Sequence, residues 1–167
     1  MIETDSGPSP TSVNIASRAG YIEAIDQVIS KSSKTLRIFE YNLEEGGFNT
    51  AARFDQLRGF LLKNRQNRIM IILHDIDYLI RYCPRMITLL TQFSHAISIH
   101  QTTPEAKGVY DPFVIGDDRH FVHRFHFDGP RALLGLDDAV ATRALLERFE
   151  EIWVASSPAV FSTTLGL

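Results

Sequence analysis

At 167 residues and a formal net charge of −3, the chain has the size of one domain that buries roughly two thirds of its unfolded surface. It lacks the excess of basic residues that a broad nucleic-acid face needs, so nucleic acid is not expected as a partner. Its 44% hydrophobic and 22% charged residues are ordinary for a soluble globular protein. No apolar run reaches the ~18 residues of a membrane span. The lone cysteine, Cys83, excludes an internal disulfide and a cysteine-based zinc site, and fits a reducing, cytoplasmic setting.

Residues 1–12 are polar and rich in Pro and Ser. They read as a disordered leader without the basic head and apolar core of a secretory signal, so one folded domain is expected over 13–167. In "NIASRAGYIEAIDQVISKSSK", Ala19, Ile22, Ile25 and Ile29 fall at helical spacing, with Ser12 or Asn14 as candidate caps. "LRIFEYN" (36–42) reads as a strand. "GGFNTAARFDQLRGFLLKNRQ" follows as a helix with Phe54, Leu57 and Leu61 on one stripe and Asn49 as cap. Ile69 to Leu73 is apolar at every position, which suits a central strand covered on both faces. Pro84 cannot continue a helix begun earlier, so a short turn is expected at 76–82 and a fresh helix from about 84.

"AISIHQT" (96–102) reads as a third strand, and "PEAKGVYD" as a loop. "FVIGDD" and "RHFVHRF" read as two short strands or one bent strand, with Gly116-Asp117-Asp118 supplying the turn. "DGPRALLGLDD" reads as a loop before a closing helix whose buried stripe is Leu145, Phe149 and Ile152. Strands alternating with helices predict an α/β domain: a mostly parallel mixed sheet with helices on both faces and an antiparallel hairpin near its end. Glu40 and Asn42, then His74 and Asp75, fall where strands end, and ligands of open α/β sheets sit beyond those carboxyl ends.

The stretch "YDPFVIGDDRHFVHRFHF" (110–127) interleaves aromatics with three histidines. Its H-x-x-H-x-x-H spacing does not make a metal site on a strand. Alternation turns His123 away from His120 and His126, which themselves lie ~20 Å apart at strand rise. Cys83 has no histidine neighbour in sequence and reads as a buried structural thiol. "EEGGFN" matches neither phosphate-loop spacing. A receiver-like domain phosphorylated on Asp75 would want an acid pair after the first strand and a late lysine, which the chain does not clearly supply. Asp75 and Asp77 read first as caps of the next helix, and Asp117, Asp118 and Arg119 first as turn formers. Phe121, Phe125 and Phe127 read as core or interface.

In element order, and above all in its last third, the chain resembles one half of the phospholipase D-like superfamily. There a strand bearing H-x-K-x-x-x-x-D leads into a hairpin and a closing helix, like "RFEEIW" here with Phe149 and Trp153. Laid on that motif, Tyr110 takes the histidine position, Pro112 the lysine and Asp117 the aspartate. The chain is similar to a bacterial family of such degenerate domains, some fused to an acetyltransferase. A phenol is a weak nucleophile near neutral pH without an activating partner, and proline cannot neutralise phosphate oxygens.

The resemblance therefore implies a phospholipase D-like half without catalytic residues, metal or cofactor, acting as a binding or interaction module. It implies a homodimer paired across the motif face, or another protein or a phosphate-containing ligand as partner. The candidate anion-binding cleft comprises Glu40, His74, Asp75 and Tyr110 with Asp117, Arg119 and Arg124, an arginine presenting its fork to the anion. The alternative is a divergent phosphodiesterase or nuclease that gathers His74, Asp117 and an arginine within ~8 Å of one point.

Overall fold

The computed structural model describes residues 7–159. Strand β1 (Thr11–Ile15) runs into helix α1 (Arg18–Lys31), followed by β2 (Thr35–Glu40), α2 (Ala51–Lys63) and β3 (Arg68–Leu73). Helices α3 (Asp77–Tyr82) and α4 (Pro84–Gln92) precede β4 (Ile97–Thr102) and a 3-10 turn at Pro104–Ala106. The chain ends in β5 (Phe113–Gly116), β6 (His120–Arg124), β7 (Ala132–Leu136), α5 (Ala139–Val154) and β8 (Ser156–Pro158).

Local chemistry sets the helix starts. The Ser17 side chain accepts from Gly20 N–H, Thr50 from Arg53 N–H, and Asp138 from Ala141 N–H, each filling one of the orphan donors of a first turn. The caps expected at Ser12 or Asn14 and at Asn49 are thus corrected to Ser17 and Thr50. Ser12 and Asn14 lie in β1, and the leader expected to run to residue 12 gives way to this strand at Thr11. Residues 1–6 lie outside the described residues. Pro84 occupies the first turn of α4, but 77–82 is a six-residue helix rather than a turn.

The strands form one sheet in the order β1-β7-β6-β5-β2-β3-β4-β8. Only β2–β3 and β3–β4 are parallel; the other five pairings among the described residues are antiparallel. The sheet is therefore mixed as expected, but its parallel part is confined to the centre. The reason is three strands outside the expected pattern, all antiparallel: β7, in a segment that reads as a loop, beside β6, β1 beside β7, and β8 beside β4.

Helices cover both faces. Tyr21, Ala24, Ile25 and Val28 of α1, with Leu57 and Phe60 of α2, pack on Ile38, Ile71 and Val122. Ile22, expected inside, is exposed because the buried stripe is rotated toward Tyr21 and Ala24. On the other face, Leu145, Phe149 and Ile152 of α5 pack on Phe39, Phe113, Ile115 and Phe121.

Phe121 needs a neighbour without a side chain. A Cβ on Gly135, its partner across β6–β7, would meet the Phe121 ring at 2.3 Å. Gly135→Ala is expected to cost about 1–3 kcal/mol by overpacking. Gly108→Ala, with nothing within 4 Å of its Cβ, should stay within about 0.5 kcal/mol. Urea denaturation of the two variants measures the contrast.

Candidate functional site

Residues of β2, β3, β5 and β6 converge at the carboxyl end of the sheet, because Phe39 lies opposite Phe113 and Glu40 opposite Leu73. The next residue in register is Pro112, which is buried and whose carbonyl accepts from Arg124 N–H at 2.9 Å. Glu40 and Arg124 thus flank the place that the resemblance gives to a lysine. Both are buried, at 2% and 3% exposure.

Glu40 accepts a hydrogen bond from the Tyr21 hydroxyl. Burial pushes its carboxyl up to about 7, against the pull of the Tyr21 hydrogen bond and the Arg124 charge. The same burial, with Glu40 beside it, holds the Tyr21 phenol well above its ordinary range. Arg124 donates from Nε to the Gly129 carbonyl and lies over the Tyr21 ring, its guanidinium carbon 5.3 Å from the centroid.

His74, just past β3, has both ring nitrogens engaged. Nε2 lies 2.7 Å from the Val109 carbonyl and Nδ1 2.6 Å from Thr102 Oγ1. A carbonyl only accepts, so Nε2 carries the proton and Nδ1 accepts from Thr102. Burial lowers the His74 pKa, which keeps the ring neutral, while the Val109 contact opposes that shift. Its one lone pair is spent, and the Phe127 ring stands edge-on at 5.5 Å between centroids. Phe127 also packs on Phe39 and Tyr41, closing the cleft with aromatic surface.

Tyr110 is 55% exposed and stacks on His126, with ring centroids 5.6 Å apart. These two rings, Tyr41 and Phe127 line a groove of about 610 Å³ that also carries Glu44, Glu45 and Asp128. Asp75 lies beside His74, and its Oδ1 accepts from Asp77 N–H as a cap would.

Two expected members of the cleft are elsewhere. Asp117 accepts from the N–H groups of Ser33 (2.7 Å), Lys34 (2.8 Å) and Thr35 (3.0 Å), before the first residue of β2. Burial alone would raise its pKa, but these donors outweigh it and hold the carboxyl below its ordinary value. Arg119 lies at the same end, its Nε 3.7 Å from Asp137 Oδ1. His74 follows β3, which runs parallel to β2 in register, so it lies past the opposite end, ~17 Å away at strand rise. This separation overturns the gathering of His74, Asp117 and an arginine at one point.

The three histidines of 120–126 also diverge: His120 Nδ1 accepts from Asp137 N–H, His123 pairs with Asp111, and His126 stacks on Tyr110. Tyr21, Tyr41, Phe127 and Lys107, whose ammonium donates to the His74 carbonyl, belong to the site without having been expected there. A tyrosine interrupting the apolar stripe of α1 was the one available signal, since a buried phenol needs a partner.

This mixed sheet, with helices on both faces and a hairpin in the motif position, is the phospholipase D-like fold. Nuc from Salmonella typhimurium, a phospholipase D family member, is similar with a TM-score of 0.65 and 12% identity, over 92% of this chain and 100% of that one. TrmBL2, an archaeal chromatin protein with a novel mode of DNA binding, gives 0.67 and 12% over 95% of this chain, which spans 57% of its length. Phosphatidylserine synthase from Haemophilus influenzae gives 0.59 and 15% over 90% of this chain and 40% of that one. No curated protein matches. A family model covers residues 17–161, and the chain belongs to that family, the domain of unknown function DUF7931. Among the described residues no helix is long and apolar enough to cross a membrane.

Asp117→Ala is expected to destabilise by about 2–4 kcal/mol, since three backbone donors lose a charged acceptor and alanine inherits a φ of 50°. Thermal and urea unfolding measure it. Glu40 gives a second expectation. Its folded pKa exceeds the unfolded one, so its contribution is fully present below pH 4.5 and is lost as pH rises through about 7. The loss is on the order of 3 kcal/mol. Buried histidines oppose it in the same window, so the readout is the difference from Glu40→Gln, whose stability should fall less between pH 5 and 8.

Proposed function

We propose that the chain is a non-catalytic interaction module on a phospholipase D-like scaffold. It takes a partner at the groove lined by Tyr41, Tyr110, His126 and Phe127. The observation that carries this reading is the state of His74, at the end of β3: its lone pair is given to Thr102 and Phe127 covers it. Tyr110 and Pro112 stand where the resemblance puts the attacking imidazole and the neutralising ammonium, and neither side chain supplies one. The groove joins aromatic faces to Glu44, Glu45 and Asp128, which suits a cationic side chain of a protein partner. A second copy of the chain is the partner implied by the resemblance, which pairs two halves across this face.

TrmBL2 is described as binding DNA, so the fold alone does not exclude a nucleic acid. The lining of this groove presents no lysine or arginine side chain to a phosphate backbone.

Incubation with bis(p-nitrophenyl) phosphate, with and without divalent cations, is expected to release no nitrophenol above buffer. Turnover that disappears in His74→Ala would overturn the reading. Light scattering at micromolar concentration should give twice the 18.9 kDa chain mass, reverting toward one chain in Tyr110→Asp. A monomer in the native chain removes the second copy as partner.

A further inference from the structure

We propose that the groove of Tyr41, Tyr110, His126 and Phe127 receives the arginine side chain of a protein partner, and that proton uptake by His126 empties it. This rests on the reading of the groove as an interaction site and names its guest and its control. At about 610 Å³ the groove has the size of a small-ligand site, enough for one long side chain with its flanking peptide.

Two pairs of rings line it. Tyr110 and His126 lie nearly parallel, 28° apart, and each is about half exposed. Tyr41 meets Phe127 edge-on at 70°, with centroids 5.3 Å apart. Ring faces attract cations, and a guanidinium, being planar and weakly hydrated, stacks on them where an ammonium keeps its water. The fold already lays arginines over rings elsewhere, Arg53 on Phe48 at 5.4 Å and Arg124 on Tyr21 at 5.3 Å.

Glu44 and Asp128 supply the opposite charge. Neither carboxylate has a lysine or arginine partner among the described residues. Glu45, the third acid, is held by Arg18, whose Nε and Nη2 reach its two oxygens at 2.7 and 2.5 Å. That two-pronged contact is the one a guest arginine makes on Glu44 or Asp128, and a lysine cannot make it.

His126 is the part of the lining that changes charge. Its Nδ1 accepts from Asp128 N–H at 3.1 Å and lies 3.6 Å from Asp128 Oδ2. The groups facing it are the rings of Tyr110 and Phe127 and the Asp128 carboxylate, with Glu44 and Glu45 in the same groove. A protonated Nδ1 no longer accepts; it donates to the Asp128 carboxylate and takes that acid from the guest. The imidazolium also puts positive charge in the wall on which the guanidinium stacks. Both effects expel the guest as pH falls from 8 to 5, the range in which imidazole changes charge.

The probes are the blocked peptides acetyl-Gly-Arg-Gly-amide and acetyl-Gly-Lys-Gly-amide, which carry equal charge. Full-length chain is titrated with each at pH 7.5, following the amide resonances of Tyr110, His126 and Asp128. The arginine peptide should bind saturably with a Kd on the order of 1 mM, about fivefold tighter than the lysine peptide. Tyr110→Ala should weaken it about tenfold and Glu44→Gln about threefold, while Glu147→Gln on α5 leaves it unchanged. At pH 5.5 the native affinity should drop about fivefold, and His126→Phe, which keeps a flat ring, should retain it.

Equal binding of the two peptides, or an undiminished response in Tyr110→Ala, overturns the arginine site. Release at low pH that persists in His126→Phe overturns the proton switch. Light scattering of the same samples separates this inference from the reading it rests on. A monomer that binds the arginine peptide keeps this site and removes the second copy as partner. A dimer indifferent to the peptide at every dilution keeps the interaction reading and overturns this one.

Discussion

The junction of β2 with β5 governs what lies at the carboxyl end of the sheet. β2 belongs to the parallel half and β5 opens the antiparallel half, and their pairing has no covalent neighbour to set its register. The Asp117 carboxylate supplies the register by gathering three successive N–H groups at the entry to β2, while its own N–H returns a bond to the Thr35 carbonyl. Charged acceptors of several backbone donors are among the stronger local interactions in a protein. A one-residue slip would turn every β5 side chain to the wrong face. An anchor at one end of the strand therefore places Phe113 on Phe39 and Pro112 beside Glu40 at the other.

Of the three positions laid on the motif by the resemblance, the one holding an acid, Asp117, is thus the one with a structural duty. Asp117 acts on the backbone, and its loss would reach the whole hairpin. Tyr110 and Pro112 precede the part of β5 paired with β2, and both join the β6 side through backbone carbonyls, which accept from Phe127 and Arg124 N–H whatever the side chain. The end of the sheet has then filled with groups that satisfy one another: Thr102 and Val109 hold His74, Tyr21 holds Glu40, and Phe127 lies across the opening.

Two grooves lie side by side there, sharing Glu45, Phe127 and Asp128. One joins aromatic faces to carboxylates; the other has a guanidinium and a helix start. Glu45, which lines both, is paired with Arg18 at the helix start.

The central strands and the closing helix were legible because their evidence is local. An unbroken run from Ile69 to Leu73, alternation in β4 and the stripe Leu145, Phe149 and Ile152 each report burial within a few residues. The α/β class and the phospholipase D-like likeness followed from that order, as did the placing of Glu40 and His74 at strand ends. β1 and β7 were not legible. Their segments are dominated by turn formers, and they become strands only because each finds the other and the β6 ladder. The candidate site divided in the same way. Asp117 and Arg119 are near Tyr110 along the chain but a strand's length away in space, since β5 carries the chain back past β2. Tyr21, Arg124 and Phe127 meet Glu40 and His74 across long stretches of sequence. Proximity of that kind comes from packing and register, to which composition and spacing are blind.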